Sequence, residues 1–347
     1  MPCGEYFTSY VSRMGLVRWR TERIALVLAL PIPFLLPMFL DPGTVSVITQ
    51  IYIFIIAVLG LNVMLGYAGE IVLAQAAFMA IGAYSTAQII ANVGMGLLPA
   101  VLVGGLFTAV VSILFGLPSY RVKGFYIAIS TLALQFITEW FFEQQRFEPI
   151  HGGPVQTDIP TEIALVDALG VINISSGQDI YYFAFALMTV VALVTLNISR
   201  TGIGRRFRAV KENDLSSAVL GINVFRTKLL AYGLGGFIVG VAGGLYAFYL
   251  TSFTPGQFGI ELTLEHYLML LLGGIGRVWG AVIGVSVVVL LQEELDGILQ
   301  EVSPQATSLE PLFFGVVIIV YLALEPKGIV AGLGQIKEYL RSWPYAY

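Results

Sequence analysis

The chain has 347 residues, 57% of them apolar and only 12% charged, with 38 glycines besides and a formal net charge of −4. Soluble domains carry roughly 25% charged residues, so this composition argues against a soluble fold. Together with a mean hydropathy of +0.84, the repeated apolar runs of roughly 20 residues predict an all-α, polytopic integral membrane bundle rather than an outer-membrane barrel of short alternating strands.

In chain order, a basic segment over 1–23 is expected in the cytoplasm. The apolar runs that follow are Ile24–Leu40, Val45–Leu65, Ile71–Ala91, Leu97–Leu117, Phe125–Phe142, Tyr181–Ile198, Leu229–Leu250, a short Leu264–Leu272, Val278–Leu291 and Leu309–Leu324. They predict ten crossings within one permease-like domain over 24–330, with a cytoplasmic tail over 331–347. The first run follows a long basic stretch, contains Pro31, Pro33 and Pro37, and lacks a small-x-small cleavage site. It reads as a retained span rather than a signal peptide.

Lys and Arg favour the cytoplasmic ends of spans. With the N-terminus inside, alternation puts every Lys and Arg except Arg146 on the cytoplasmic side, seven of them between Arg200 and Lys228. The same alternation places Asp158, Glu162, Asp167 and Asp179 in an outer loop over 143–180, and Glu293, Glu294, Asp296 and Glu301 in another. Both chain ends are then cytoplasmic. A re-entrant hairpin over 264–291 would give the same sidedness.

Two interruptions stand out. Gly66, Tyr67, Gly69 and Glu70 join two spans, with Asn62 and Gln75 in the flanking helices. Irregular backbone at membrane depth is tolerated where it is buried in protein or lines a cavity, so these residues are candidates for a translocation pathway. Close packing through small residues is the alternative. The second interruption carries Gly274 and Gly276. Its glycine spacing resembles a dinucleotide loop, but it lacks the flanking strand and the third glycine is one residue late. A break between half-spans fits better, with Arg277 toward the cytoplasm. Thr131, Gln135 and Glu139 are four residues apart and share one helical face, a polar stripe suited to a pathway, with simple solvation of Glu139 near the outer interface as the alternative. His266, beside Glu265, reads as an interfacial residue at an outer helix end.

The largest polar cytoplasmic segment is 199–228. Val210, Ala218, Val219 and Ile222 predict a short amphipathic helix within it, with Lys211, Glu212 and Asp214 on its wet side. Such a helix lies on membrane lipid or docks into a partner. One cysteine, Cys3, and two distant histidines, His151 and His266, argue against a disulfide, a clustered metal site or an enzyme active centre. No Gly-Lys pair occurs, so there is no Walker A loop, and any ATP used is bound by another chain. Nothing in the sequence points to nucleic acid or a cofactor. An ion-coupled secondary transporter would need charges near the centre of a span, and none of the runs has one.

The blocks LNVMLGYAGEIVLAQAAFMAIGAY, RVKGFYIAISTLAL, GRRFRAVKENDLSSAVLGINVFRTKLLAY, ELTLEHYLMLLLGGIGRVWGAVIG and EPKGI, in that order, resemble the permeases of branched-chain amino acid ABC importers, the LivM family. The resemblance implies a second homologous permease subunit, two cytoplasmic ATP-binding subunits, a periplasmic solute-binding protein and transport by alternating access across a bacterial inner membrane. It implies ATPase coupling for Glu212, Asn213, Asp214, Ser217, Gly221 and Asn223. Four helices on either side of the sixth span suit an inverted repeat. His151-Gly152-Gly153-Pro154 and Gln135-Phe136 depart from the family pattern, and related permeases carry urea, short amides or aromatic acids.

Overall fold

The computed structural model describes residues 32–117, 125–153, 155, 163–164, 173–174, 177–302, 315, 328–330 and 332. Within them the chain is almost entirely helical. In order, the helices are α1 (Ile32–Phe39), α2 (Pro42–Leu61), α3 (Gln75–Val93), α4 (Leu97–Gly116), α5 (Phe125–Glu143), the single turn α6 (Glu148–His151), α7 (Gly177–Arg200), α8 (Gly202–Glu212), α9 (Asp214–Val219), α10 (Val224–Leu250), α11 (Ile260–Gly273) and α12 (Val278–Val302). Two short antiparallel strands, β1 (Ile163–Ala164) and β2 (Asn173–Ile174), pair Ile163 with Ile174 in the loop before α7, a small departure from the expected all-α chain.

Among the described residues, six helical segments are long and apolar enough to cross a membrane: Pro42–Tyr67, Gln75–Val93, Leu97–Gly116, Gly177–Arg200, Val224–Leu250 and Val278–Leu295. They match predicted runs, with differences at the ends. Segment 1–23, the run Leu309–Leu324 apart from Gly315, and nearly all of 331–347 lie outside the described residues. So do Arg121, Lys123, Asp158, Glu162 and Asp167.

Local chemistry sets several boundaries. Asp41 caps α2, accepting from the N–H of Thr44 at 3.3 Å, and Pro42 takes the first helical position, where its missing N–H costs nothing. Gly94, at φ +67°, ends α3 in the left-handed region. The sequence places Glu293, Glu294, Asp296 and Glu301 in a loop, but α12 continues through all four. The apolar pattern ends at Leu291, whereas the segment Gln292–Val302 is rich in Glu, Leu and Gln, which favour helix without apolar periodicity.

The long α10 is the hub, packed against α2, α3 and α4. Its Gly235, Gly240 and Gly243 allow that approach. A Cβ at Gly243 would overlap the carbonyl of Met79 on α3, and one at Gly240 would run into Thr108 on α4. Small residues let helix backbones come close where lipid supplies no hydrophobic drive between helices. Ser112 on α4 donates to the carbonyl of Tyr232 at 2.7 Å across the same interface. By contrast, α4 and α7 leave Leu106, Phe107, Val110, Val190, Leu193 and Val194 exposed, apolar faces of the kind a bilayer or a second subunit covers.

The hairpin of α11 and α12 is equally close, since a Cβ at Gly284 would overlap the carbonyl of Met269. With 14 residues, α11 rises only about 21 Å, short of the ~30 Å hydrocarbon core. It begins where a 3-10 turn, Pro255–Phe258, follows the end of α10.

Candidate functional site

The site is built around an interruption between α2 and α3. After Leu61 the helix widens into a π-helical turn, Asn62–Tyr67, and residues 68–74 leave helical geometry before α3 starts at Gln75. The predicted span beginning at Ile71 therefore starts four residues late. Such a start leaves buried N–H groups without helical partners, and side chains from two other helices supply them. Tyr267 Oη accepts from the N–H of Val72 at 2.8 Å and donates to its carbonyl at 3.0 Å. Thr131 Oγ1 accepts from Leu73 at 2.9 Å, and Thr263 Oγ1 accepts from Ala76 at 2.9 Å. Gln135 accepts from the N–H of Ala77 at 2.8 Å and donates to the carbonyl of Phe258 at 2.6 Å.

Asn62 bridges the interruption to the α11–α12 turn. Its Oδ1 accepts from the N–H of Gly276 at 2.8 Å, and its Nδ2 donates to the carbonyl of Arg277 at 3.4 Å. Gly66 has no room for a side chain, because a Cβ would overlap the Asn62 amide. Gly69, Gly274 and Gly276 have φ of +76°, +113° and +80°, which L side chains rarely adopt. Gln75 donates to the carbonyl of Ala57 at 2.9 Å, while its buried Oε1 has no partner among the described residues. Tyr67 is buried.

Thus Asn62, Gly66, Tyr67, Gly69, Gln75, Thr131, Gln135, Gly274 and Gly276 belong to one assembly of interrupted backbone. Thr131 and Gln135 are buried, but Glu139, farther along α5, is half-exposed and outside that network. His266 differs from its reading as an interfacial residue. It is fully buried, with its ring edge-on to Phe54 at 5.1 Å and neither nitrogen bonded among the described residues. The dipeptide with Glu265 suggested exposure, yet successive helical positions face different directions.

The polar segment 199–228 forms two helices where one amphipathic helix was expected. Asn213 sits between them in extended geometry, at φ −161° and ψ 113°, and its side chain caps α9 by accepting from Ser216 at 3.0 Å. Gly221, at φ +82°, closes α9: its N–H donates to the carbonyl of Ala218, and that of Ile222 to Ser217, both at 3.0 Å. This is a Schellman closure. Asn223 then caps α10 through the N–H of Arg226 at 2.9 Å.

The apolar face is divided as well. Val210 is buried in α8, while Leu215, Val219 and Leu220 are 74%, 88% and 79% exposed. Glu212 is the last residue of α8, and Ser217 is buried beneath α9.

Two lysines join this segment to the interruption. Lys211 Nζ donates to the carbonyl of Gly66 at 2.8 Å. Lys228, in the first turns of α10, lies 2.8 Å from Glu70 and 3.2 Å from Asp214. Burial pushes the Glu70 carboxyl up from the usual range, and Lys228 opposes that rise. A cavity of 340 Å³ is lined by residues 68–71, by residues 210–215 and by Lys228, beside the close approach of Lys211 to Gly69.

A second cavity, of 380 Å³, is lined by Gln50, Tyr246, Gln257, Glu261, Glu265 and Glu293 among others. Gln50 lies about 18 Å along α2 from Asn62. The sequence did not single out Lys228, Thr263 or Tyr267, since Lys228 read only as one more basic residue, Thr263 fell just before the apolar run Leu264–Leu272, and Tyr267 was a polar member of that run. Among the described residues no three His, Cys, Asp or Glu side chains are grouped to hold a metal.

Interrupted membrane helices held by polar side chains, with a capped polar segment projecting beside them, define a polytopic membrane permease. The family model described as "Branched-chain amino acid transport system / permease component" matches residues 43–322, and the chain belongs to that family. It is 28% identical over 328 residues to the high-affinity branched-chain amino acid transport system permease protein LivM of Escherichia coli K12, covering 89% of this chain and 75% of the relative. The probable LivM of Methanocaldococcus jannaschii is 27% identical over 69% of each chain. The guanosine ABC transporter permease NupQ of Bacillus subtilis is 27% identical over 35% of this chain and 38% of its own. No solved structure matches. Permease components of this family are transport proteins, not enzymes.

Proposed function

We propose that the chain is the permease subunit of an ATP-driven ABC importer that moves branched-chain or other hydrophobic amino acids across a bacterial inner membrane by alternating access. The observation carrying this reading is α9, a short helix capped at both ends that holds Leu215, Val219 and Leu220 out from the protein. Exposed apolar anchors on a preorganised element suit a groove on a partner. The assigned partner is one of two cytoplasmic ATP-binding subunits, with Glu212, Asn213, Asp214, Ser217, Gly221 and Asn223 shaping the contact. A second homologous permease and a periplasmic solute-binding protein complete the machine, and membrane lipid covers the remaining apolar faces.

In this reading the chain crosses the bilayer ten times, with its basic segments and both ends in the cytoplasm and its halves related as an inverted repeat. Asn62, Gly66, Tyr67, Gly69, Gln75, Thr131, Gln135, Glu139, Gly274 and Gly276 border the pathway. Gln75 has hydrogen-bonding capacity left for a solute, whereas Thr131 and Gln135 shape the route by holding its backbone open. The two cavities lie toward opposite ends of it. The amino acid assignment is supported by LivM relatives that align over most of the chain, while the guanosine permease aligns over about a third.

The test is uptake of radiolabelled leucine into proteoliposomes holding the permease with the ATPase and second permease that co-purify with it. Uptake that needs both ATP and the leucine-loaded binding protein supports the proposal. Uptake by the purified chain alone, driven by an ion gradient, overturns it.

A further inference from the structure

Lys228 stands at the junction of three elements: the interruption after α2, the projecting α9 and the base of the hub helix α10. Its ammonium is 2.8 Å from Glu70 Oε1 and 3.2 Å from Asp214 Oδ2. The side chains of Glu70 and Lys228 are only 4% and 7% exposed, while that of Asp214 is 20% exposed. Charges buried to this degree are expensive to separate. Glu70 Oε2 is also buried and has no partner among the described residues, so the carboxylate depends on Lys228 for its neutralisation.

The outer surface of α9 packs against nothing among the described residues, with its large apolar side chains exposed. Its ties to the bundle include the ion pair from Asp214 and, one helix earlier, the bond from Lys211 to the Gly66 carbonyl. The cavity lined by residues 68–71, residues 210–215 and Lys228 lies beside these ties, next to Asp214 and Leu215 at the start of α9.

From this arrangement we infer that Lys228 and Glu70 are positioning residues for transport, linking displacement of α9 to the interrupted backbone at 62–74. Lys228 carries the displacement because it holds both carboxylates. Glu70 is the deeper anchor, and Lys211 acts on the same stretch through Gly66. The inference rests on the reading of α9 as the ATPase contact and adds the route by which force leaves it.

The test uses the complete complex in proteoliposomes, with Glu70→Gln, Lys228→Gln and the double variant, measuring leucine imported per ATP hydrolysed. Each single variant that retains bound ATPase should lose about fivefold or more of this ratio. The double variant should lose no more than either single, because the two residues act as one link. The neutral pair Glu70→Met with Lys228→Met removes both charges together, so it keeps the test decisive if a single variant fails to assemble. Wild-type import per ATP in any assembled variant would overturn the link. Failure of the unmodified chain to bind any ATPase would instead overturn the functional reading on which it rests.

Discussion

The main-chain N–H of Gly276 donates to Asn62 Oδ1 at 2.8 Å, joining residues 214 positions apart. One amide side chain thereby fixes the π-helical turn after α2 against the hairpin turn before α12. Asn62→Leu should leave the Gly276 N–H unpaired and cost about 1–3 kcal/mol. Thermal unfolding of the purified chain in detergent measures that loss. Gln135→Leu should lose a comparable amount, as it removes the partners of Ala77 and Phe258.

Lys228→Met leaves the Glu70 carboxylate buried without its cation, and breaking a buried pair from one side costs about 3–5 kcal/mol. The pH dependence has a definite sign. Burial holds the Glu70 pKa above its unfolded value, so the folded state binds the proton more tightly and stability falls as pH rises through the folded pKa. Without Lys228 to oppose the rise, this dependence should strengthen. Unfolding scans at about pH 5 and about pH 7.5 should show the variant's deficit smaller at the acidic value.

Gly221 is a test of conformation alone, because a Cβ there meets nothing within 4 Å while φ is +82°. Gly221→Ala should cost about 1 kcal/mol or more of local order in the turn after α9. Gly221→Asn should cost less, since Asn tolerates the left-handed region. Hydrogen exchange at Ile222, whose N–H closes the turn, reads the difference.

Replacing Leu215, Val219 and Leu220 together by serine should leave the unfolding temperature nearly unchanged, because exposed sites contribute little to folding. Retention of the ATPase during purification should fall by about tenfold or more.

The sequence made the long helices legible because lipid demands sustained apolar runs, and the limits of α4 and α5 follow those runs closely. It also made the glycine interruptions legible. The late start of α3 was hidden, because Ile71, Val72 and Leu73 continue an apolar run while the backbone of Val72 and Leu73 is held by Tyr267 and Thr131 from distant positions. The extension of α12 was hidden for the opposite reason, since its last turns lose apolarity but not helix propensity. The division of 199–228 into α8 and α9 hinged on Asn213, whose side chain serves as a cap within a pattern that reads as one amphipathic stretch. Lys228 showed only its charge. Its pairing with Glu70 spans 158 positions and exists only once α10 has packed beside α2.

The account centres on α9 as the surface on which a cytoplasmic ATPase acts, and cysteine cross-linking tests this most directly. With Cys3, the chain's one cysteine, replaced by serine, Val219→Cys provides a unique thiol at the tip of α9. In inverted membrane vesicles a photoactivatable cross-linker attached to the thiol at position 219 should join the chain to the ATP-binding subunit. Labelling of that thiol in intact cells by a membrane-impermeant maleimide, with no cross-link to the ATPase, would contradict it.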